Sequence, residues 1–161
     1  MKGLRKWPWP ELQPYNGFSH AERVRGWQAI HFLIDNGWAT RSNLCSVSGA
    51  TTMLRLHSEN YYSWEPYTLT HSIHMALHNR FRHPDAWRRM VERHALTGDE
   101  WFVSLSSEPI DLAGALRAEH GPQIANIFER LPVPAGFTAP LDQIYRERTT
   151  TTTERPDYEC K

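Results

Sequence analysis

The stretch Leu69-Thr70-His71-Ser72-Ile73-His74-Met75-Ala76-Leu77-His78-Asn79-Arg80-Phe81, with Arg55-Leu56-His57-Ser58-Glu59-Asn60-Tyr61 upstream, decides how this chain reads. Thr70 to Arg82 has the pattern of a helix that Pro84 stops. On that helix His74 and His78 stand one turn apart on one face, the spacing at which two imidazoles grip one metal ion. His71 lies near the same face and is a candidate extra ligand or phosphate contact. Between Trp38 and Tyr67 the helical period disappears, Thr, Val and Tyr enter, and Ser48-Gly49 marks a turn. This favours a β-hairpin with Met53 to His57 as one arm. Strand alternation then puts His57 and Glu59 on one face and Ser58 on the other.

Outward from this centre the chain is mostly helical. Residues 1–18, with Trp7-Pro8-Trp9-Pro10 and Pro14-Tyr15-Asn16-Gly17, hold too many prolines for a helix and read as an extended arm whose tryptophans pack on the body. Ser19 and Glu22 form a capping box, and Val24, Trp27, Ile30, Leu33 and Ile34 repeat at helical spacing, which predicts a helix over 20–35. Further helices are expected from Pro84 to Leu96, Pro109 to His120 and Pro122 to Leu131, with a short strand or extended packing segment at 100–105. The expected architecture is α+β: a mostly helical single domain over 19–131 around a small ββα unit at about 43–83. A polar tail over 132–161 is expected to be disordered or to order on a partner.

Composition narrows the function classes. With 161 residues the chain can bury a core without staples, and 18 basic against 18 acidic residues argue against a polybasic nucleic-acid binder. Cys45 and Cys160 do not suggest a disulfide framework. No apolar run reaches the roughly 20 residues a membrane span needs. The expectation is a soluble cytoplasmic protein without membrane contact.

The order turn, hairpin, histidine, helix with histidines resembles the HNH, or ββα-metal, endonucleases. In that family a Cys-x-x-Cys-Gly knuckle precedes a strand ending in His-His or Asp-His, and the helix opens with Leu-Cys-x-x-Cys-His-x-x-Leu-His. The matching residues are Cys45-Ser46-Val47-Ser48-Gly49, His57-Ser58-Glu59 and Leu69-Thr70-His71-Ser72-Ile73-His74-Met75-Ala76-Leu77-His78, about a quarter of the chain. Of the four positions that often hold a structural zinc only Cys45 is a cysteine, with Ser48, Thr70 and Ile73 at the others, so no structural zinc on a four-cysteine site is expected. The resemblance implies one divalent ion, Mg, Mn, Ni or Zn, held by His57, His74 and His78. It places Ser58 where the family has its water-activating histidine. Glu59 is the nearest carboxylate and a candidate base or ligand; in another register His57 is the base, and His74, His78 and Glu59 hold the metal. The family's central asparagine has no counterpart, since Glu65, Pro66 and Tyr67 fill that stretch.

Arg80, Arg82, Arg88, Arg89 and Arg93 follow the histidines, opposed by Asp85 and Glu92. They suit phosphate contacts, with Arg80 the first candidate, and equally suit a solvated helix face. Tyr61, Tyr62, Trp64 and Tyr67 fit either base stacking or a core beneath the hairpin. The expected function is a metal-dependent endonuclease hydrolysing DNA phosphodiesters. The rivals are a non-catalytic adaptor or inhibitor that binds nucleic acid or a protein through the arm or tail, and a purely structural histidine metal site.

Overall fold

The computed structural model describes residues 2–63 and 66–131, so the tail expected over 132–161 and the side chain of Trp64 lie outside the described residues. The fold is α+β, with five α-helices and one two-stranded antiparallel sheet among the described residues. The chain forms two compact units. One comprises the described parts of Met1–Thr40, Glu59–Glu65 and Asp111–Pro156; the other comprises those of Arg41–Ser58 and Pro66–Ile110.

In the first unit α1 (His20–Asp35) begins where the capping box predicts. The Ser19 hydroxyl accepts from the Glu22 amide, and the Glu22 carboxylate accepts from the Ser19 amide at 2.8 Å, a closure worth about 1 kcal/mol. The buried side of α1 includes Val24, Trp27, Ile30, Phe32 and Leu33. Gly26 on this helix allows Tyr61 to approach, because a Cβ there would meet the Tyr61 carbonyl oxygen at 2.7 Å.

The proline-rich arm is extended and packed: Trp7 and Trp9 set their rings edge-on to Trp27 at 5.2 and 5.7 Å. Arg5 bonds both carboxylate oxygens of Asp35 at 2.8 Å, and Gln28 donates to the Arg5 carbonyl at 2.7 Å. Phe18, Tyr62 and Ala113 form a core cluster with Leu112, Leu116 and Ile124 against it.

The helix expected from Pro109 starts later, as α5 (Leu112–His120), because the Asp111 carboxylate accepts from the Gly114 amide and sets the cap there. The helix expected over 122–131 is instead two 3-10 turns, Pro122–Ala125 and Ile127–Arg130, with Asn126 between them at φ −86°, ψ 67°, outside helical geometry. That break leaves Ile127 and Phe128 buried.

The second unit carries the hairpin. β1 (Leu54–His57) pairs antiparallel with β2 (Tyr67–Thr70), in a register that sets Leu54 opposite Thr70 and His57 opposite Tyr67. Helix α2 (His71–His78) follows without a loop: Thr70 ends the strand and is the N-cap, its hydroxyl accepting from the Ile73 amide. α2 is shorter than the expected reach to Arg82. Asn79 closes it, donating from its side chain to the Met75 carbonyl at 2.9 Å while its own carbonyl accepts from the Arg82 and His83 amides at 3.0 Å.

Helix α3 (Pro84–Arg93) starts on its proline and buries Trp87. The strand or extended segment expected at 100–105 is corrected to a one-turn helix, α4 (Glu100–Val103). The Ser104 amide bonds the Glu100 carbonyl at 3.0 Å, and Phe102, fully buried, meets Trp87 edge-on at 5.0 Å. The turn supplies partners for the Phe102, Val103 and Ser104 amides, through the Asp99 and Glu100 carbonyls.

Candidate metal centre

Two local features bring the histidines together. β1 ends at His57, and the direct passage from β2 into α2 puts His74 and His78 on the two turns of a helix that begins beside the hairpin. His57 and His74 are buried, at 2% and 3% exposure, and His78 is half-buried. One potential ligand atom from each of the three lies within 4.8 Å of the others. The ring centroids stand 4.6 Å apart for His74 and His78, 5.0 Å for His57 and His78, and 5.4 Å for His57 and His74. The three histidines are therefore close enough to hold a metal ion.

The donor geometry passes a direct test. His74 and His78 point their Nε2 atoms at each other across 3.0 Å. Two nitrogens each about 2.0–2.1 Å from one tetrahedral ion would be separated by about 3.3–3.4 Å. A shift of a few tenths of an ångström, available to rotating imidazoles, would let His74 and His78 share one ion. An all-imidazole set suits Zn, Ni, Co or Cu and disfavours Mg, which prefers oxygen ligands and water.

The described cluster consists of these three histidines. His71 opens α2, its amide donating to the Met53 carbonyl at 2.8 Å, and it is not one of the three clustered histidines. The alternation that would put Glu59 beside His57 does not extend that far, because β1 stops at His57. Within the first unit the Glu59 carboxylate accepts from the Tyr15 hydroxyl and, at 2.6 Å, from the Asn16 side-chain amide. Asn16 stands at φ +50°, a turn conformation that Asn tolerates and that Pro14-Tyr15-Asn16-Gly17 signals.

Arg80 corrects the expectation that it leads the phosphate contacts. At 1% exposure it is the largest fully buried side chain among the described residues, donating to the carbonyls of Ser106 at 2.8 Å and Leu77 at 3.1 Å and lying over the Phe81 ring. It stitches the end of α2 to the segment after α4. Arg82, Arg88, Arg89 and Arg93 are exposed. Arg88 forms a solvated ion pair with Asp85 at 3.1 Å.

The turn before the hairpin is joined to the start of α2 through Cys45. Its buried Sγ accepts from the amides of Ser48 and Thr70, both at 3.4 Å, and the Ser46 amide donates to the Thr68 carbonyl at 2.8 Å. Burial pushes the thiol pKa up, but hydrogen bonds from the Ser48 side chain and from the amides of Ser48, Val47 and Thr70 outweigh it, leaving the pKa lowered. Sequence reading did not find Trp101, whose indole stacks on Tyr67 with centroids 3.7 Å apart and planes 9° apart. No periodicity links residues so far apart.

Comparison with protein-family models, curated proteins and solved structures returned no match.

Proposed function

We propose that this chain is an HNH-like, metal-dependent endonuclease that hydrolyses DNA phosphodiester bonds. The observation that carries this reading is the convergence of His57, from the end of a strand, with His74 and His78, one turn apart on the helix that follows the hairpin. When bound, a divalent ion supplies Lewis acidity toward a phosphate ester. His57, His74 and His78 would each hold it through one ring nitrogen. The fold-internal bonds of Arg80 leave backbone phosphates to the exposed Arg82, Arg89 and Arg93, whose planar guanidinium groups match phosphate oxygens. Where His57 is not a ligand it is the base that handles the proton; Glu59, in the other unit, is held by Tyr15 and Asn16.

A second reading, a non-catalytic adaptor or inhibitor that binds nucleic acid or protein, is favoured by one observation. The residue after His57 is Ser58, and the nearest carboxylate, Glu59, is engaged by Tyr15 and Asn16. Incubation with supercoiled plasmid and Mg²⁺, Mn²⁺, Ni²⁺ or Zn²⁺, beside His74→Ala and an EDTA control, separates the two. Nicking that requires metal and is lost in His74→Ala supports the endonuclease; absence of nicking with every metal supports the adaptor.

A further inference from the structure

Arg41 and Arg55 converge on one backbone oxygen. The Arg41 Nη2 donates to the Leu54 carbonyl at 2.5 Å, and the Arg55 Nη1 donates to the same carbonyl at 3.1 Å. Arg41 is exposed and Arg55 half-buried. Among the described residues no carboxylate pairs with either, and the buried Nε of Arg55 has no acceptor. Arg80 and Arg88 of the same unit contrast with them: one donates to two carbonyls inside the fold and the other pairs with Asp85.

The pair stands where positive charge is least favoured. Leu54 is in register with Thr70, the N-cap of α2, and the His71 amide at the start of that helix donates to the carbonyl of Met53, the residue before Leu54. A helix N-terminus carries a partial positive charge and stabilises anions, not cations. Two guanidinium groups that share one neutral acceptor there repel each other and lack the counter-charge that an ionised bidentate partner supplies. An oxyanion with several acceptor oxygens can meet both forks and supply that charge.

Position relative to the histidines identifies the anion. Strand alternation puts Arg55 and His57 on one face of the hairpin. Leu54 and His57 are the two ends of β1, about 10 Å apart at the rise of a β-strand, and a B-DNA strand advances about 3.4 Å per nucleotide. A strand with one phosphate at the histidines would bring another to the arginines about three nucleotides away.

We propose that Arg41 and Arg55 hold a phosphate group, supplied by the backbone of the nucleic acid whose cleaved phosphate lies at His57, His74 and His78. The source of the phosphate rests on the nucleic-acid reading above; the affinity of the pair for phosphate does not.

Fluorescence anisotropy of a labelled duplex oligonucleotide, in EDTA so that no cleavage occurs, tests the contact. Arg55→Gln and Arg41→Gln should each weaken binding by about 10- to 100-fold, the loss of a hydrogen bond to a charged group. The double variant should flatten the slope of log K against log salt by about 0.9, the value for one phosphate. Arg55→Lys, which keeps the charge without the planar fork, should recover the slope but only part of the affinity. Lys6→Gln, which removes an exposed charge from the other unit, should stay close to wild type. Circular dichroism checks the folding of each variant, and the exposed Arg41→Gln carries the test if Arg55→Gln does not fold. In a second arm inorganic phosphate is titrated into wild type and Arg55→Gln, and the melting temperature is followed. Selective loss of duplex binding in the glutamine variants supports the backbone contact. A rise in melting temperature that Arg55→Gln abolishes, with duplex binding absent or unchanged, assigns the pair to free phosphate and overturns the nucleic-acid source. No loss in either arm, or an equal loss in Lys6→Gln, overturns the site. Plasmid nicking reads the endonuclease separately: a double variant that nicks as wild type does refutes the site alone, and a chain that does not nick but shows the selective loss keeps the site without catalysis.

Discussion

The Nε2 atoms of His74 and His78 face each other across 3.0 Å, a separation at which two imidazole nitrogens must have either a shared proton or a cation between them. A cation that takes the proton's place would tie α2 to the end of β1 through His57 and stabilise the unit that contains them. An ion present at 100 times its Kd raises stability by about 2.7 kcal/mol. Addition of Zn²⁺ or Ni²⁺ should therefore raise the melting temperature by several degrees, EDTA should reverse the shift, and His78→Ala should abolish it. Mg²⁺ at the same concentration should leave the melting temperature unchanged.

Arg80 is held by the carbonyls of Ser106 and Leu77 and by the Phe81 ring. Replacing it takes the guanidinium donor from the Ser106 carbonyl and empties a fully buried volume, so Arg80→Ala should cost about 2–4 kcal/mol by denaturant unfolding. The exposed Arg89→Ala should fall within about 0.5 kcal/mol of wild type and weaken duplex binding in a salt-dependent manner. Equal stability of the two variants would contradict the structural role of Arg80.

Cys45 accepts from two amides at the junction of turn and helix. Cys45→Ala leaves the Ser48 and Thr70 amides without that acceptor and should lower stability by about 1–3 kcal/mol. Cys45→Ser, which restores an acceptor, should recover part of the loss. Thiol labelling of the native protein at Cys45 should be slow despite the lowered pKa, because the side chain is buried.

Two carboxylates make the first unit acid-sensitive. For Glu22 burial acts to raise the pKa, but hydrogen bonds from Tyr62 and Ser19 and the charge of Arg117 outweigh it, and the value is lowered. Asp35 is lowered chiefly by its hydrogen bonds from Arg5. A carboxylate whose folded pKa lies below its unfolded value contributes stability that is fully present above the unfolded value and is lost as pH falls through the folded one. The melting temperature should therefore drop below about pH 4.5, the ordinary value for Glu, and less steeply in Glu22→Gln and Asp35→Asn. A parallel fall in wild type and both variants would remove these groups as the cause.

Much of the local structure was legible. The Ser19–Glu22 box and the apolar spacing marked α1, the Thr, Val and Tyr content marked the hairpin, and the i, i+4 spacing marked the histidine pair. Segments that depend on distant partners were not. Glu100-Trp101-Phe102-Val103 has strand-like composition, yet it forms a helical turn that buries Phe102 against Trp87 of α3, a partner 15 residues away. Glu59 is claimed by Tyr15, 44 residues away, and Arg80 by Ser106, 26 residues away. Neither pairing leaves a mark in local periodicity, so Glu59 read as a free site carboxylate and Arg80 as a surface cation.

Titration of Zn²⁺ into the purified metal-free chain, followed by calorimetry, tests the histidine cluster most directly. One equivalent should bind to the wild type, and His74→Ala, which removes a ligand outright, should weaken binding by more than the 10- to 100-fold typical of an outer-shell change. No bound equivalent in the wild type, or one bound as tightly by His74→Ala, would contradict a metal centre at His57, His74 and His78.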